Sequence, residues 1–289
     1  MQSSMFLGDT TNIDHAYIDE NGVVVGGSYR PKFFVTGDID PVENVVVDFS
    51  TIKKTLKAII DDKVSGYDHK LWWINGVSEG EISFVEDQVH IITPYVNITG
   101  PKDIVKLIDG DVDEYFVKEL TVLLNQKYPN VNITIENTMT TTFDLMPHVN
   151  SDAFRFRYVH GLKESTSWGC QNIAHGHLSY IAAETTNELA TNMLLAGIAS
   201  TLDGSVFVWH DNITGHDQDG SMVTVEYTSG RGHMKMEVHD SLVVPIETET
   251  TVEHLVEFVA AEYGEMLRNA GVTRLHVSEG LSKGACVTL

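Results

Sequence analysis

The segment Phe156–His177 carries three histidines and a cysteine at spacings that suit metal chemistry. His175 and His177 are two residues apart, so on a strand their side chains share one face. His160 precedes them at a distance suited to the neighbouring strand of a hairpin. Three imidazoles leave a tetrahedral zinc ion one open position, the arrangement of a catalytic rather than a structural site. Cys170, between them, is then a base or nucleophile near the metal and not necessarily a ligand. A bare His-x-His is more often core or surface chemistry. The preceding Phe156, in frame with His160, and the added Cys170 shift the balance to zinc.

Strands and helices to carry these residues are readable from periodicity. The chain reads as two similar halves of order β-β-α-β-β-α-β. The first opens with strand-like Met5–Ile18 and Ser28–Asp38, the second with Ala153–Gly161 and His177–Glu184. A helix follows in each. Asp48 can cap the first, with Ile52, Leu56, Ile59 and Ile60 as its apolar stripe, and Asn187–Leu202 fills the second slot. Strands follow at Glu81–Phe84 and Val89–Tyr95, and at Met222–Tyr227, His233–Val238 and Leu242–Ile246. Second helices run from Val112 to Lys127, before Pro129, and from the Thr251 cap towards Gly271. Short strands Val131–Glu136 and Arg274–Glu279 close the halves. The linker is placed at Asp144–Asp152, which separates domains 1–146 and 147–289.

The halves differ where chemistry is at stake. Phe156, His160, His175 and His177 align without a gap on Phe6, Thr10, Val25 and Gly27, and Cys170 aligns on Glu20. The first half therefore has no metal site on this reading.

Composition bounds the function. With 289 residues, 42% of them hydrophobic, the chain can build a full core. A net charge of −22 argues against nucleic-acid partners, which need a basic surface. No stretch has the length of a membrane span. Two cysteines make no disulfide framework, so reduced thiols and a cytoplasmic location are expected.

The pattern Phe156-x3-His160, Cys170, His175-Gly176-His177 resembles the 6-pyruvoyltetrahydropterin synthase and 6-carboxytetrahydropterin synthase family. The first half adds Val47-Asp48-Phe49 at a helix start and Asp68-His69 after that helix, two further family features. The resemblance spans nearly the whole chain, as two copies. It implies an α+β fold of two tandem T-fold modules, each an antiparallel four-stranded sheet with two helices on one face. Family members close such modules into β-barrel rings, so a homo-oligomer is expected.

The resemblance also implies roles. His160, His175 and His177 would bind Zn2+. Cys170 would be the general base, with Asp68 and His69 as a proton-relay pair from the other half. Glu279 would anchor the pterin through its amino group and ring N–H, and Glu136 is the alternative. The substrate would be 7,8-dihydroneopterin triphosphate, which loses triphosphate to give a 6-pyruvoyl or a 6-carboxy product. Prevalence favours the carboxy product, a precursor of 7-deazaguanines such as queuosine. Arg155, Arg157, Lys163 and Lys70 are the cations near the motifs. In the second half the place of Asp68-His69 reads Asp203-Gly204, with His210-Asp211 further on. A different class of function, an inactive zinc-binding scaffold, is the alternative.

Overall fold

The computed structural model describes residues 2–8, 10–137 and 148–289. The boundary between 146 and 147, and residues 144–147 of the expected linker, lie outside the described residues. In the first half the elements are β1 (Gln2–Leu7), β2 (Ile13–Ile18), β3 (Val24–Tyr29), β4 (Pro31–Asp38), α1 (Phe49–Ile60) and β5 (Lys70–Asn75). Then come β6 (Glu81–Val85), β7 (Gln88–Ile92), β8 (Val96–Pro101), β9 (Val105–Asp109), α2 (Val112–Lys127) and β10 (Val131–Asn137). The second half holds β11 (Phe154–His160), β12 (His175–Thr185), α3 (Glu188–Leu202), β13 (Ser205–Trp209), β14 (Ile213–His216) and β15 (Met222–Ser229). It ends with β16 (Gly232–His239), β17 (Val243–Ile246), α4 (Val252–Asn269), β18 (Val272–Glu279) and β19 (Lys283–Thr288).

The result is a mixed α+β fold with four α-helices among the described residues. Local chemistry explains the helices. The Asp48 carboxylate accepts from Thr51 N at 2.8 Å and satisfies an otherwise unpaired N–H at the start of α1. Asp111 does the same for α2, accepting from Glu114 N at 3.0 Å. Ile52, Leu56 and Ile60 of α1 and Phe116, Leu120 and Leu124 of α2 recur at helical spacing and are buried in one core with the first-half strands. Helices α3 and α4 share the corresponding core of the second half, through Leu195, Ile198, Leu255 and Val259.

The sheets depart from the expected antiparallel four-stranded units. β5 runs parallel to both β2 and β9, and β13 runs parallel to both β11 and β17. The reason lies between them. After β5 the chain makes a three-strand meander, β6–β8, in a separate sheet, and after β13 it makes β14–β16. An odd number of antiparallel strands returns the chain in its original direction. The two meanders join edge to edge, with β8 pairing antiparallel to β16, into one six-stranded sheet in the order β14-β15-β16-β8-β7-β6. A third core lies against this shared sheet, and both halves supply it: Ala16 and Leu71 from one, Val159 and Val206 from the other, with Ile98, Val225 and Met236 of the shared sheet.

The two halves follow one pairing scheme. Ala16 lies beside Leu71 and Leu71 beside Val105, as Val159 lies beside Val206 and Val206 beside Val243. Tyr17 faces Val25, and His15 faces Gly27, as His160 faces His175 and Tyr158 faces His177. This corrects the gapless alignment. Tyr17, not Thr10, holds the position of His160, because the 19–23 connection is shorter than the 161–174 connection. Phe6 belongs to β1, a separate strand that pairs with β4. Glu20 lies in the short connection, which has no counterpart of the Cys170 loop.

The halves meet closely at Gly26 and Gly176. A Cβ on Gly176 would lie 2.6 Å from Gly26 Cα, so both positions exclude any side chain. Beside this contact Ser28 Oγ accepts from Leu178 N at 3.1 Å, which ties β3 to β12.

Candidate active site

The β11–β12 register places His160 opposite His175, and the two-residue period puts His177 on the same face. All three side chains are fully buried, and their donor atoms lie within 4.8 Å of one another. His160 Nε2 is 3.1 Å from His177 Nε2. Two of the rings are oriented through their other nitrogen. His160 Nδ1 donates to Thr250 O at 2.8 Å and His175 Nδ1 donates to Asn172 O at 3.0 Å. A carbonyl only accepts, so these protons sit on Nδ1 and leave the Nε2 lone pairs pointing inward. Asp14 Oδ1, from the first half, lies 3.4 Å from His177 Nδ1. Carbonyl and carboxylate partners of this kind are what orients metal-binding imidazoles. Burial pulls His160 down to about 3 and His175 well below the usual imidazole range, so both rings are neutral.

Asp68 and His69 reach this cluster from the loop that leads into β5. Asp14 N donates to Asp68 Oδ1 at 2.9 Å, and His69 N donates to Asp14 O at 2.6 Å. His69 is in the left-handed region, φ 54°, and its Nδ1 donates to Asp68 Oδ2 at 2.7 Å. Its ring centroid is 5.2 Å from that of His175. His69, Cys170 and His175 form a second set of donor atoms within 4.8 Å. Burial opposes a charge on His69, but hydrogen bonds to Asp68 and Cys170 outweigh it and raise the imidazole well above its ordinary value. Burial also opposes the Cys170 thiolate. His69 outweighs it and lowers the thiol.

Glu279, at the end of β18, places Oε1 3.8 Å from His177 Nε2 and Oε2 2.9 Å from Lys283 Nζ. Lys283 also approaches Asp14 Oδ2, at 3.6 Å. Burial raises the Asp14 carboxyl, but His177, Lys283 and His69 together hold it well below the carboxylate range. Asp14, Lys283, Thr250 and Asn172 escaped the sequence reading. Asp14 alone left a signal, a carboxylate inside the apolar run Ile13–Ile18.

His160, His175, His177, Cys170, Asp68, His69 and Glu279 therefore come together at one place, within one chain. Glu136 does not join them. It is exposed and lies 4.0 Å from Lys32. His210 and Asp211 form an exposed pair elsewhere. Lys70 is buried and spends its donors on the carbonyls of Lys63, Val64 and Asp103. Arg155 and Arg157 line a separate cavity, and Lys163 lies beside Glu164.

The residues fit a metal. His175 Nε2 is buried with no hydrogen-bond partner among the described residues, a costly state that a Lewis acid relieves. Three buried imidazoles, two of them with Nδ1–H groups fixed by carbonyls, match a zinc donor set. Among the described residues, no helix is long and apolar enough to cross a membrane.

No family model matches the sequence, and no curated protein matches it. Among solved structures, the chain is similar to 6-pyruvoyltetrahydropterin synthase from Plasmodium vivax, with 17% identity and a TM-score of 0.38, over 48% of this chain and 94% of that one. The Plasmodium falciparum enzyme of the same name gives 15% identity and a TM-score of 0.34, over 47% of this chain and 99% of that one. An uncharacterized protein from Wolinella succinogenes gives 12% identity and a TM-score of 0.33, over 47% and 95%.

Proposed function

We propose that this chain is a zinc-dependent lyase of the tetrahydropterin synthase type, acting on 7,8-dihydroneopterin triphosphate with loss of triphosphate. The observation that carries the reading is the convergence of Asp68 and His69, from the first half, on Cys170 and three buried histidines of the second. A scaffold that merely held zinc would have no use for a thiol and a carboxylate–imidazole pair at the same point.

His160, His175 and His177 would hold the zinc, which supplies Lewis acidity towards the hydroxyls of a bound side chain. Cys170, lowered by His69, takes a proton from carbon as thiolate. His69, held by Asp68, donates or removes the second proton. Glu279 accepts from the amino group and ring N–H of the pterin, and Lys283 keeps that carboxylate ionised. The three histidines are fully buried, which would keep bulk water from the metal position.

The two halves, 1–146 and 147–289, are read as copies of one T-fold module, of which only the second keeps a metal site. The chain would act as a cytoplasmic homo-oligomer. Metal analysis of the purified protein should find about one zinc per chain. Incubation with 7,8-dihydroneopterin triphosphate should release triphosphate, and the pterin product, 6-pyruvoyl or 6-carboxy, identifies the reaction. A zinc-loaded protein inert to this substrate, in which Cys170→Ala changes nothing, would establish the scaffold instead.

A further inference from the structure

The pairing scheme common to the halves assigns the three histidines and the residues that clamp Asp14 their counterparts. Tyr17, Val25 and Gly27 hold the positions of His160, His175 and His177. Arg157 holds that of Asp14: Arg157 N donates to Asp203 Oδ1 at 2.8 Å, as Asp14 N donates to Asp68 Oδ1. Gly204 N donates to Arg157 O, as His69 N does to Asp14 O. These counterparts have not collapsed into a packed core. Tyr17, Gly27, Arg157 and Asp203 line a cavity of about 580 Å³, within the range of small-molecule sites.

We propose that this cavity is a second ligand site, which takes a planar heteroaromatic molecule carrying an anionic group and uses no metal. Val25 and Gly27 offer no donor atom, so the metal-binding triad is gone. Aromatic surface replaces it. His15 stacks on buried Trp72, centroids 3.6 Å apart and planes 9° from parallel, and Tyr17 and Tyr29 stand beside them. His15 is itself buried, and its Nδ1 donates to Ile13 O at 3.3 Å. Its Nε2 is therefore an acceptor, and no hydrogen-bond partner meets it among the described residues. Only glycine at position 27 leaves that edge open, since a Cβ there would lie 2.8 Å from His15 Nε2.

The lining carries two guanidiniums, Arg155 and Arg157, and three carboxylates, of which Asp203 is held by Arg157 and Asp113 accepts from Tyr29 Oη, leaving Asp111. Where that site has Asp14, this one has Arg157, fixed by Asp203 through Nε and Nη2 at 3.1 Å each. Exposed Arg155 stands two residues away on the same strand, so both guanidiniums reach the same rim. A flat ring over the aromatic floor would donate an N–H to His15 Nε2 and present its carboxylate or phosphate to the arginines. The cavity stands whether or not the histidine cluster performs the chemistry proposed for it.

The test uses 6-carboxypterin as probe, titrated calorimetrically into the full zinc-loaded chain. Gly27→Leu should reduce the number of bound probe molecules by one per chain while zinc content, circular dichroism and lyase turnover stay as in wild type. Arg157→Met, which does not fill the cavity, should weaken that class of site about tenfold or more. Pterin without the carboxylate should not register the change. The proposal fails if Gly27→Leu binds as many probe molecules as wild type, or if Arg157→Met leaves the affinity for 6-carboxypterin unchanged.

Discussion

Asp14 and His177 come from opposite halves of the chain, and the carboxylate Oδ1 of the first lies 3.4 Å from Nδ1 of the second. The same aspartate is clamped through its backbone by Asp68 and His69. One residue of β2 thus orients a candidate metal ligand with its side chain and a candidate proton relay with its main chain.

Asp14→Asn should keep the shape and the hydrogen bond from Ser28 Oγ, which is 2.6 Å long in the native protein. It removes the charge that polarises His177. Loss of such an outer partner lowers zinc affinity by roughly 10–100-fold. Competition with a chromogenic chelator measures this. Retention of wild-type affinity would show that Asp14 does not act through His177.

His69→Asn separates the two overlapping donor sets. Asparagine tolerates the left-handed backbone that His69 adopts, so the loop should stay folded. If His160, His175 and His177 hold the metal, zinc content is unchanged and turnover falls by about 10²–10⁴, the usual worth of a general acid–base. Loss of zinc in this variant would instead make His69 a ligand, together with Cys170 and His175.

Much of this was legible beforehand. The alternation that puts His175 and His177 on one face needs only a strand, and the Asp48 cap with its Ile52–Leu56–Ile60 stripe needs only a helix. Val112–Lys127 emerged with its observed bounds. The break between β1 and β2 did leave a trace, the polar turn-forming run Gly-Asp-Thr-Thr-Asn over 8–12, which the expected strand Met5–Ile18 passes over. Non-local geometry was not legible. The alignment of His160 on Thr10 assumed equal hairpin connections, and strand pairing, not spacing, identifies Tyr17. Nothing in the local periodicity of β8 or β16 announces that their edges meet. Asp14, on β2, acquires its partner only when β2 and β12 come together.

The Gly26–Gly176 contact is testable by a single methyl group. Gly176→Ala forces backbone against backbone, and overpacking of this kind costs about 1–3 kcal/mol. Gly197→Ala is the control. A Cβ there meets nothing within 4 Å, and replacing glycine inside α3 should stabilise the chain by up to about 1 kcal/mol. Urea denaturation midpoints should move in opposite directions. If both move alike, the close approach is relieved more easily than the geometry implies.

Acid stability should depend on Glu119. Burial raises its carboxyl, but hydrogen bonds from Tyr67 and Tyr115, with Lys106 at 3.1 Å, outweigh this and lower it below its ordinary value. A depressed folded pKa contributes stability that is present above the unfolded value, about 4.3. It is lost as pH falls through the folded one. Glu119→Gln should therefore lower stability at neutral pH and flatten its decline below about pH 4. Parallel pH–stability curves for wild type and variant would remove Glu119 from the account.

The pairing of β8 with β16 has a consequence for how the molecule comes apart. Neither half closes its own meander sheet, and the core beneath is filled from both sides. Pulling one half away would bare a strand edge and strip the apolar floor from the other. The chain should therefore melt as one cooperative unit, with equal calorimetric and van't Hoff enthalpies, and damage to the first half should disable the cluster of His160, His175 and His177 in the second.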